Sequence, residues 1–139
     1  MFHIGHLNIL RRAKEQCSKL IVGVSTDELV RSYKQKVPVI PFEERFAIVA
    51  ACRYVDEVVS QEDRDKIAAF HRIGFDVMFV GDDWKGKPLF VDVERYLNEH
   101  GVEVVYFPYT QGTFIYYFTR KNFEREMIPI TKEIFVNCF

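Results

Sequence analysis

The chain has 139 residues, of which 48% are hydrophobic and 28% charged, as expected of one globular domain with a continuous core. Its 19 basic and 20 acidic residues give a formal net charge of −1, so no overall basic field favours nucleic acid or an anionic membrane as a partner. No apolar run approaches the roughly 20 residues that cross a bilayer. Three scattered cysteines without metal-ligand spacing, and no apolar leader, predict a reduced, cytoplasmic setting.

Segments with helical spacing alternate with short apolar runs along most of the chain. Strands that are apolar on both faces and alternate with helices favour a parallel sheet, because parallel strands need helical crossovers. The predicted class is therefore α/β, a Rossmann-like parallel sheet with helices on both faces. In chain order the elements are helix 6–17, strand 20–24, helix 46–52, strand 55–59, helix 66–72, strand 75–80, helix 91–100 and strand 102–107.

Both ends of the chain depart from this alternation. A helix that starts near His6 should follow a strand, yet only five residues precede it. We therefore expect the sheet to lack its first strand, which would be central and whose absence would leave two neighbours unpaired. Residues 113–139 hold 7 of the 21 aromatic residues and none of the 7 glycines. The predicted organisation is a domain over residues 1–112 and a divergent tail of uncertain structure over residues 113–139.

The segment His3-Ile4-Gly5-His6 stands where the first helix is predicted to begin. Helix amino ends bind phosphate through unpaired N–H groups and the positive end of the dipole, and Gly5 would let an anion approach closely. Two imidazoles add donors at the same place. The segment indicates a phosphate-binding site, with chance occurrence of two capping or packing histidines as the alternative.

Further polar residues follow the next predicted strands. Thr26 or Asp27 is a predicted helix cap. Lys34 and Lys36 place two cations in one loop, which suits a phosphate monoester, although solvated lysines are the commoner reason for such a pair. Arg45 opens a predicted helix, where charged residues commonly form an exposed first turn.

The turn Gly81-Asp82-Asp83-Trp84 comes directly after a buried strand. Ligands of parallel sheets bind at the carboxyl ends of the strands, so this turn lies where chemistry is expected. Glycine permits the turn, the Asp83 carboxylate can accept hydrogen bonds from a base or ribose, and Trp84 offers a flat face. A turn without function is the alternative.

Together these segments resemble the HxGH nucleotidylyltransferase superfamily, and the Gly81–Trp84 turn is similar to its glycerol-3-phosphate cytidylyltransferase branch. The resemblance covers residues 2 to about 112. It lacks the strand and the Gly-Thr-Phe-Asp-like turn that relatives carry before the HxGH motif. Near its other end, Tyr109 stands where relatives have a phosphate-binding arginine.

The resemblance implies transfer of CMP from CTP to a phosphorylated polyol, with glycerol 3-phosphate as the first candidate. It also implies Mg²⁺ as the cofactor and a homodimer as the oligomeric state. The implied catalytic residues are His3, His6, Lys36 and Arg45, and Lys34 would bind the acceptor. The nucleotide would contact His3, Gly5, His6, Lys36, Asp83, Thr110, Gly112 and Thr113, and no residue is assigned to a metal. Alternatives are an ATP- or phosphoethanolamine-type nucleotidylyltransferase, or a truncated or frame-shifted copy without activity. The altered ends predict that the chain is catalytically poor.

Overall fold

The computed structural model describes residues 4–34, 37–107 and 133–138, with Asp83, Leu89 and residues 133–138 described by their backbone alone. Five helices, five strands and a short 3-10 turn form the described part of the chain. Their order is α1 (Ile4–Lys14), β1 (Lys19–Ser25), α2 (Asp27–Lys34), α3 (Phe42–Ala50), β2 (Glu57–Gln61), α4 (Lys66–Ile73), β3 (Val77–Gly81), the 3-10 turn (Asp82–Trp84), α5 (Pro88–Glu99), β4 (Glu103–Phe107) and β5 (Glu133–Cys138).

The strands form one parallel sheet in the order β2-β1-β5-β3-β4. Two apolar clusters cover its two faces. One contains Leu10 of α1 and Val49 of α3, and the other contains Ala69 of α4 and Leu97 of α5. The predicted α/β class, with a parallel sheet between helices, is confirmed.

The centre of the sheet corrects one expectation. β5 pairs with β1 over Lys19↔Glu133 to Val24↔Cys138 and with β3 over Val77↔Ile134 to Phe79↔Val136. The neighbours of the central position are therefore paired, and the pairing comes from β5, which follows β4 in sequence. The expectation of two unpaired neighbours is wrong because it assumed that the central strand must precede α1 in sequence.

Helix α2 lies where a helix cap at Thr26 or Asp27 was predicted, although no helix was assigned to the segment that follows. A helix of eight residues begins there. Thr26 caps it, since its hydroxyl oxygen accepts a hydrogen bond from the backbone N–H of Leu29 at 3.2 Å. Leu29 and Val30 are buried, and this burial stabilises a helix too short to form alone.

Asp56 ties the amino ends of β1 and β2 to the carboxyl end of α1. Its carboxylate accepts a hydrogen bond from the backbone N–H of Leu20 at 2.6 Å and from the ammonium of Lys14, also at 2.6 Å. Burial raises the pKa of Asp56, but these two donors outweigh it and hold the pKa below its usual value. Asp56 was predicted to lie inside the strand over residues 55–59; it instead precedes β2 and fixes the edge opposite the strand carboxyl ends.

In the described part of the chain, no helix is long and apolar enough to span a bilayer.

Candidate active site

All five strands are parallel, so their carboxyl ends lie along one edge of the sheet. The ends of β1, β2 and β3 are Ser25, Gln61 and Gly81. The backbone N–H of Thr26 donates to the carbonyl of Gln61 at 2.9 Å, which holds the segments after β1 and β2 together. Ligands of doubly wound sheets bind at this edge, so it is the candidate active site.

The amino end of α1 reaches the same edge. Lys14, the last residue of α1, contacts Asp56 at the opposite edge. At 1.5 Å per residue, a helix of 11 residues spans about 16 Å, close to the length of the strand beneath it. Gly5 is buried and His6 half-buried in the first turn. The helix terminus that the sequence assigned to phosphate binding therefore lies at the carboxyl edge of the sheet.

Arg45 is buried at this edge rather than exposed on a surface helix. Its side chain is 10% exposed, and its guanidinium donates to the Ser25 carbonyl at 2.7 Å and to the Ile40 carbonyl at 3.0 Å. A third bond pairs it with the carboxylate of Asp27, which also accepts a hydrogen bond from the backbone N–H of Phe42 at 3.3 Å. A guanidinium has five N–H donors, so these three bonds leave donors for a ligand.

The remaining predicted site residues divide between described and undescribed positions. Lys34 ends α2 and is exposed, and the backbone of Asp83 lies in the 3-10 turn after β3. The predicted nucleotide contacts His3, Lys36, Thr110, Gly112 and Thr113 lie outside the described residues. Their roles stay predictions, as do those of the described residues.

A group of aromatic rings and cations at the same edge was not predicted. The guanidinium carbon of Arg64, in the loop between β2 and α4, lies 5.1 Å from the ring centroid of Tyr33 and 5.4 Å from that of Trp84. The ammonium of Lys87 lies 4.7 Å from the Trp84 ring, and that of Lys34 lies 5.6 Å from the Tyr33 ring. These are cation–π distances. Sequence spacing gave no signal because Tyr33 of α2, Arg64 of the β2–α4 loop and Trp84 of the 3-10 turn come from three separate segments.

Two buried polar side chains flank Arg64 in the β2–α4 segment. Gln61 is 3% exposed, and its side-chain oxygen has no hydrogen-bond partner among the described residues. Lys66 is 9% exposed and forms no ion pair with any carboxylate in the described part of the chain. Burial, reinforced by the nearby charge of Arg64, lowers the pKa of Lys66 to about 8.

A surface cavity of about 440 Å³ lies elsewhere on the sheet. It is lined by Lys19 and Glu57, the first residues of β1 and β2, together with Arg72 of α4. These strand amino ends mark the edge opposite the candidate site. The cavity is therefore not the place where a doubly wound sheet binds its substrate.

The described residues contain no group of three or more His, Cys, Asp or Glu side chains that could hold a metal ion. Mg²⁺ in phosphoryl-transfer sites is bound largely by substrate phosphates and water, with one or two carboxylates. The described part of the site is therefore compatible with a magnesium ion that arrives with a nucleotide, and it offers no enclosed cage of protein ligands.

Comparison with known proteins identifies the family. Residues 1–132 match the family described as cytidylyltransferase-like. The chain therefore belongs to the cytidylyltransferase-like family, within the nucleotidylyltransferase superfamily that its motifs resemble. It is 38% identical over 113 residues to glycerol-3-phosphate cytidylyltransferase of Bacillus spizizenii, covering 81% of each chain.

Other relatives carry different names. FAD synthase of Thermococcus kodakarensis is 36% identical over 115 residues, which cover 78% of this chain and 74% of that protein. A probable ethanolamine-phosphate cytidylyltransferase of Encephalitozoon cuniculi is 35% identical over 117 residues, 84% of this chain but 34% of the relative. The family is thus shared by proteins named for different acceptors and nucleotides.

The solved structure of a lipopolysaccharide core biosynthesis protein from Thermoplasma volcanium superposes with a TM-score of 0.65. The match covers 81% of this chain and 89% of that one, at 21% identity. This similarity supports the α/β fold and carries no information about substrates.

Proposed function

We propose that this protein transfers CMP from CTP to a phosphorylated polyol, with glycerol 3-phosphate as the preferred acceptor, and releases pyrophosphate. The proposal rests on one observation. The amino end of α1, which carries Gly5 and His6, and several cationic side chains lie at the same edge of the sheet. Such an edge suits two phosphorylated substrates bound side by side. The relatives named glycerol-3-phosphate cytidylyltransferase support the choice of nucleotide and acceptor.

The reaction needs positioning and charge stabilisation rather than a covalent intermediate. An oxygen of the acceptor phosphate attacks the α-phosphorus of CTP. The new P–O bond forms as the bond to the bridging oxygen breaks, and pyrophosphate leaves with that electron pair. Negative charge grows on the α-phosphate oxygens, and the amino end of α1 with His6 would stabilise it.

Other residues would bind the two substrates around this centre. Lys34 would hold the acceptor phosphate and Asp83 would contact the nucleotide. Arg45 would direct its remaining donors toward phosphate while its bonds to the protein keep it in place. His3, Lys36, Thr110, Gly112 and Thr113 complete the proposed site. Mg²⁺, bound with the triphosphate, would neutralise part of its charge.

Two further properties belong to the proposal. Relatives are named for glycerol 3-phosphate and for ethanolamine phosphate, both small phosphorylated compounds, and this supports a cytoplasmic location. A homodimer is also proposed. Size-exclusion chromatography with light scattering measures the oligomeric state directly.

The function is tested by pyrophosphate release and by mass analysis of the product. We expect CDP-glycerol from CTP and glycerol 3-phosphate, at a rate well above that with CTP and phosphoethanolamine or with ATP and FMN.

His6→Ala should lower kcat by about 10²-fold, as does loss of one preorganised donor elsewhere, and should weaken CTP binding more than Lys34→Ala does. His71→Ala, an exposed histidine of α4, is the matched control and should leave both values unchanged. FAD formation without CDP-glycerol would contradict the proposal.

A further inference from the structure

The cationic side chain of Arg64 occupies a place between aromatic rings at the site edge. Its guanidinium carbon is 5.1 Å from the ring of Tyr33, near the end of α2, and 5.4 Å from the ring of Trp84, after β3. Aromatic rings arranged around a cation are what proteins use to bind ammonium ligands. Here the protein's own arginine takes that place, so these two rings are not available to a ligand ammonium.

More positive charge surrounds the same rings. The ammonium of Lys87 lies 4.7 Å from the Trp84 ring and that of Lys34 lies 5.6 Å from the Tyr33 ring. Lys66 follows Arg64 by two residues and is buried without an ion-pair partner in the described part of the chain. An acceptor carrying an ammonium group would meet several like charges here, whereas a phosphate would meet opposite ones.

Gln61 adds a polar group that needs a partner. Its side-chain oxygen is buried at the end of β2 without a hydrogen-bond partner among the described residues. A buried oxygen without a donor costs free energy, which a ligand hydroxyl that reaches it would recover. Because an ammonium can also donate to an oxygen, Gln61 distinguishes a hydroxyl from an apolar group, and the discrimination against ammonium rests on Arg64.

We infer that the segment Gln61–Lys66 selects the acceptor: it favours a phosphorylated alcohol with neutral hydroxyl groups and disfavours an acceptor with an ammonium group. Arg64 is the residue that discriminates by charge, and Gln61 is the residue that recognises a hydroxyl. The inference rests on the proposed function and narrows its acceptor class. It separates this chain from a phosphoethanolamine-type relative on the basis of its own side chains.

Trp84 provides a direct readout of acceptor binding. It is the chain's one tryptophan and contacts Arg64, so its fluorescence should change when an acceptor binds beside it. Titration of the whole chain with glycerol 3-phosphate and with phosphoethanolamine should show a preference for the first of about 10-fold or more. Arg64→Gln should make the affinities for glycerol 3-phosphate and phosphoethanolamine nearly equal without changing the affinity for CTP. Arg64→Lys should retain most of the preference for glycerol 3-phosphate.

A second pair of ligands tests Gln61. Ethyl phosphate lacks the hydroxyl groups of glycerol 3-phosphate, so the parent chain should bind it more weakly. Gln61→Met, which keeps the length of the side chain but removes the amide, should reduce this preference several-fold. Arg95→Gln is the matched control, because Arg95 is exposed in α5 and pairs with Asp92 at 2.7 Å, and it should change neither ratio.

The outcomes separate the inference from the proposed function. If CDP-glycerol forms but Arg64→Gln and Gln61→Met leave both ratios as in the parent, the selection role is wrong and the function stands. If the chain makes FAD and no CDP-glycerol, both are wrong. Circular dichroism of each variant shows whether the fold is kept. Because Arg64 is exposed, we expect its variants to fold as the parent does.

Discussion

At the scale of single residues, Lys66 is a buried cation that we expect to lower stability. Its ammonium is buried beside the positive charge of Arg64, and the nearby carboxylates of Asp63 and Asp65 offset this only in part. The resulting pKa of about 8 lies below the ordinary value of 10.5. A positive charge held in this way is useful to a phosphate ligand and unfavourable to the empty protein.

Replacing Lys66 should therefore stabilise the protein. Between pH 8 and 10.5 the unfolded chain holds a proton at Lys66 that the folded chain has released, so the free energy of unfolding rises with pH across this window. Below pH 8 the cost of the buried charge is present in full. Lys66→Met should raise the free energy of unfolding at pH 7 by about 1–3 kcal/mol, and its advantage over the parent should shrink toward pH 10.5.

Urea unfolding of both proteins at pH 7 and pH 10 measures this difference. Lys85→Met, at an exposed lysine of the neighbouring loop, serves as the control and should change stability little at either pH. A Lys66→Met protein that is less stable than the parent at pH 7 would show that the ammonium is stabilised by contacts other than those described.

At the scale of elements, Asp27 and Arg45 join α2 and α3 at the end of β1. The Asp27 side chain is 18% exposed and the Arg45 side chain 10%, and the guanidinium also bonds to the carbonyls of Ser25 and Ile40. Loss of one partner of such a pair leaves the other charge buried and unpaired. The contact therefore holds α2, α3 and the end of β1 in fixed positions around the site.

Asp27→Asn should lower the free energy of unfolding by about 2–4 kcal/mol, because the amide cannot neutralise Arg45. The comparison is Asp92→Asn in α5, which breaks an exposed pair whose side chains are 67% and 74% exposed. That change should cost less than about 0.5 kcal/mol. Chemical denaturation measures both, and equal losses would mean that Arg45 does not depend on Asp27.

The elements that could be predicted from sequence are those with a local cause. The apolar run at Leu20–Val24 is buried on both faces, as a strand inside a parallel sheet requires, and the observed β1 extends it by one residue at each end. Asp65 and Gly74 cap the predicted helix α4 at its two ends. Helix α2 was missed because its stability comes from burial of two residues rather than from an extended periodic pattern.

The candidate site combines local and long-range features. The helix terminus proposed to bind phosphate is formed by adjacent residues, whereas the contacts of Arg64 with Tyr33 and Trp84 join residues about 30 and 20 positions apart and depend on the folded sheet. For Arg45 only the family resemblance indicated a place near the site, and neither its burial nor its bonds to backbone carbonyls could be predicted. Long-range contacts of this kind leave no trace in spacing.

At the scale of the whole molecule, the central strand is the last described element in sequence. β5 follows β4 in sequence but lies on the other side of β3, between β3 and β1. Every other element of the sheet depends on it, since without it the sheet would divide into the pairs β2-β1 and β3-β4. The expectation of poor catalysis rested in part on unpaired central neighbours, and that part of its basis is removed. The catalytic consequence itself stays a prediction.

The role of β5 is tested by a change to its backbone. Val136 is paired with Val22 of β1, in the middle of that ladder, and with Phe79 of β3, in the last pair of the second ladder. Proline at this position removes an N–H donor and cannot be accommodated inside a sheet. Val136→Pro should lower the free energy of unfolding by about 3 kcal/mol or more, a large share of the roughly 5–15 kcal/mol that stabilises a domain of this kind. Val39→Pro, at a loop residue that is 97% exposed, is the control and should have little effect. Urea unfolding followed by circular dichroism compares the two. If Val136→Pro unfolds at the same urea concentration as the parent, β5 does not hold the two halves of the sheet together, and another segment must pair with β1 and β3.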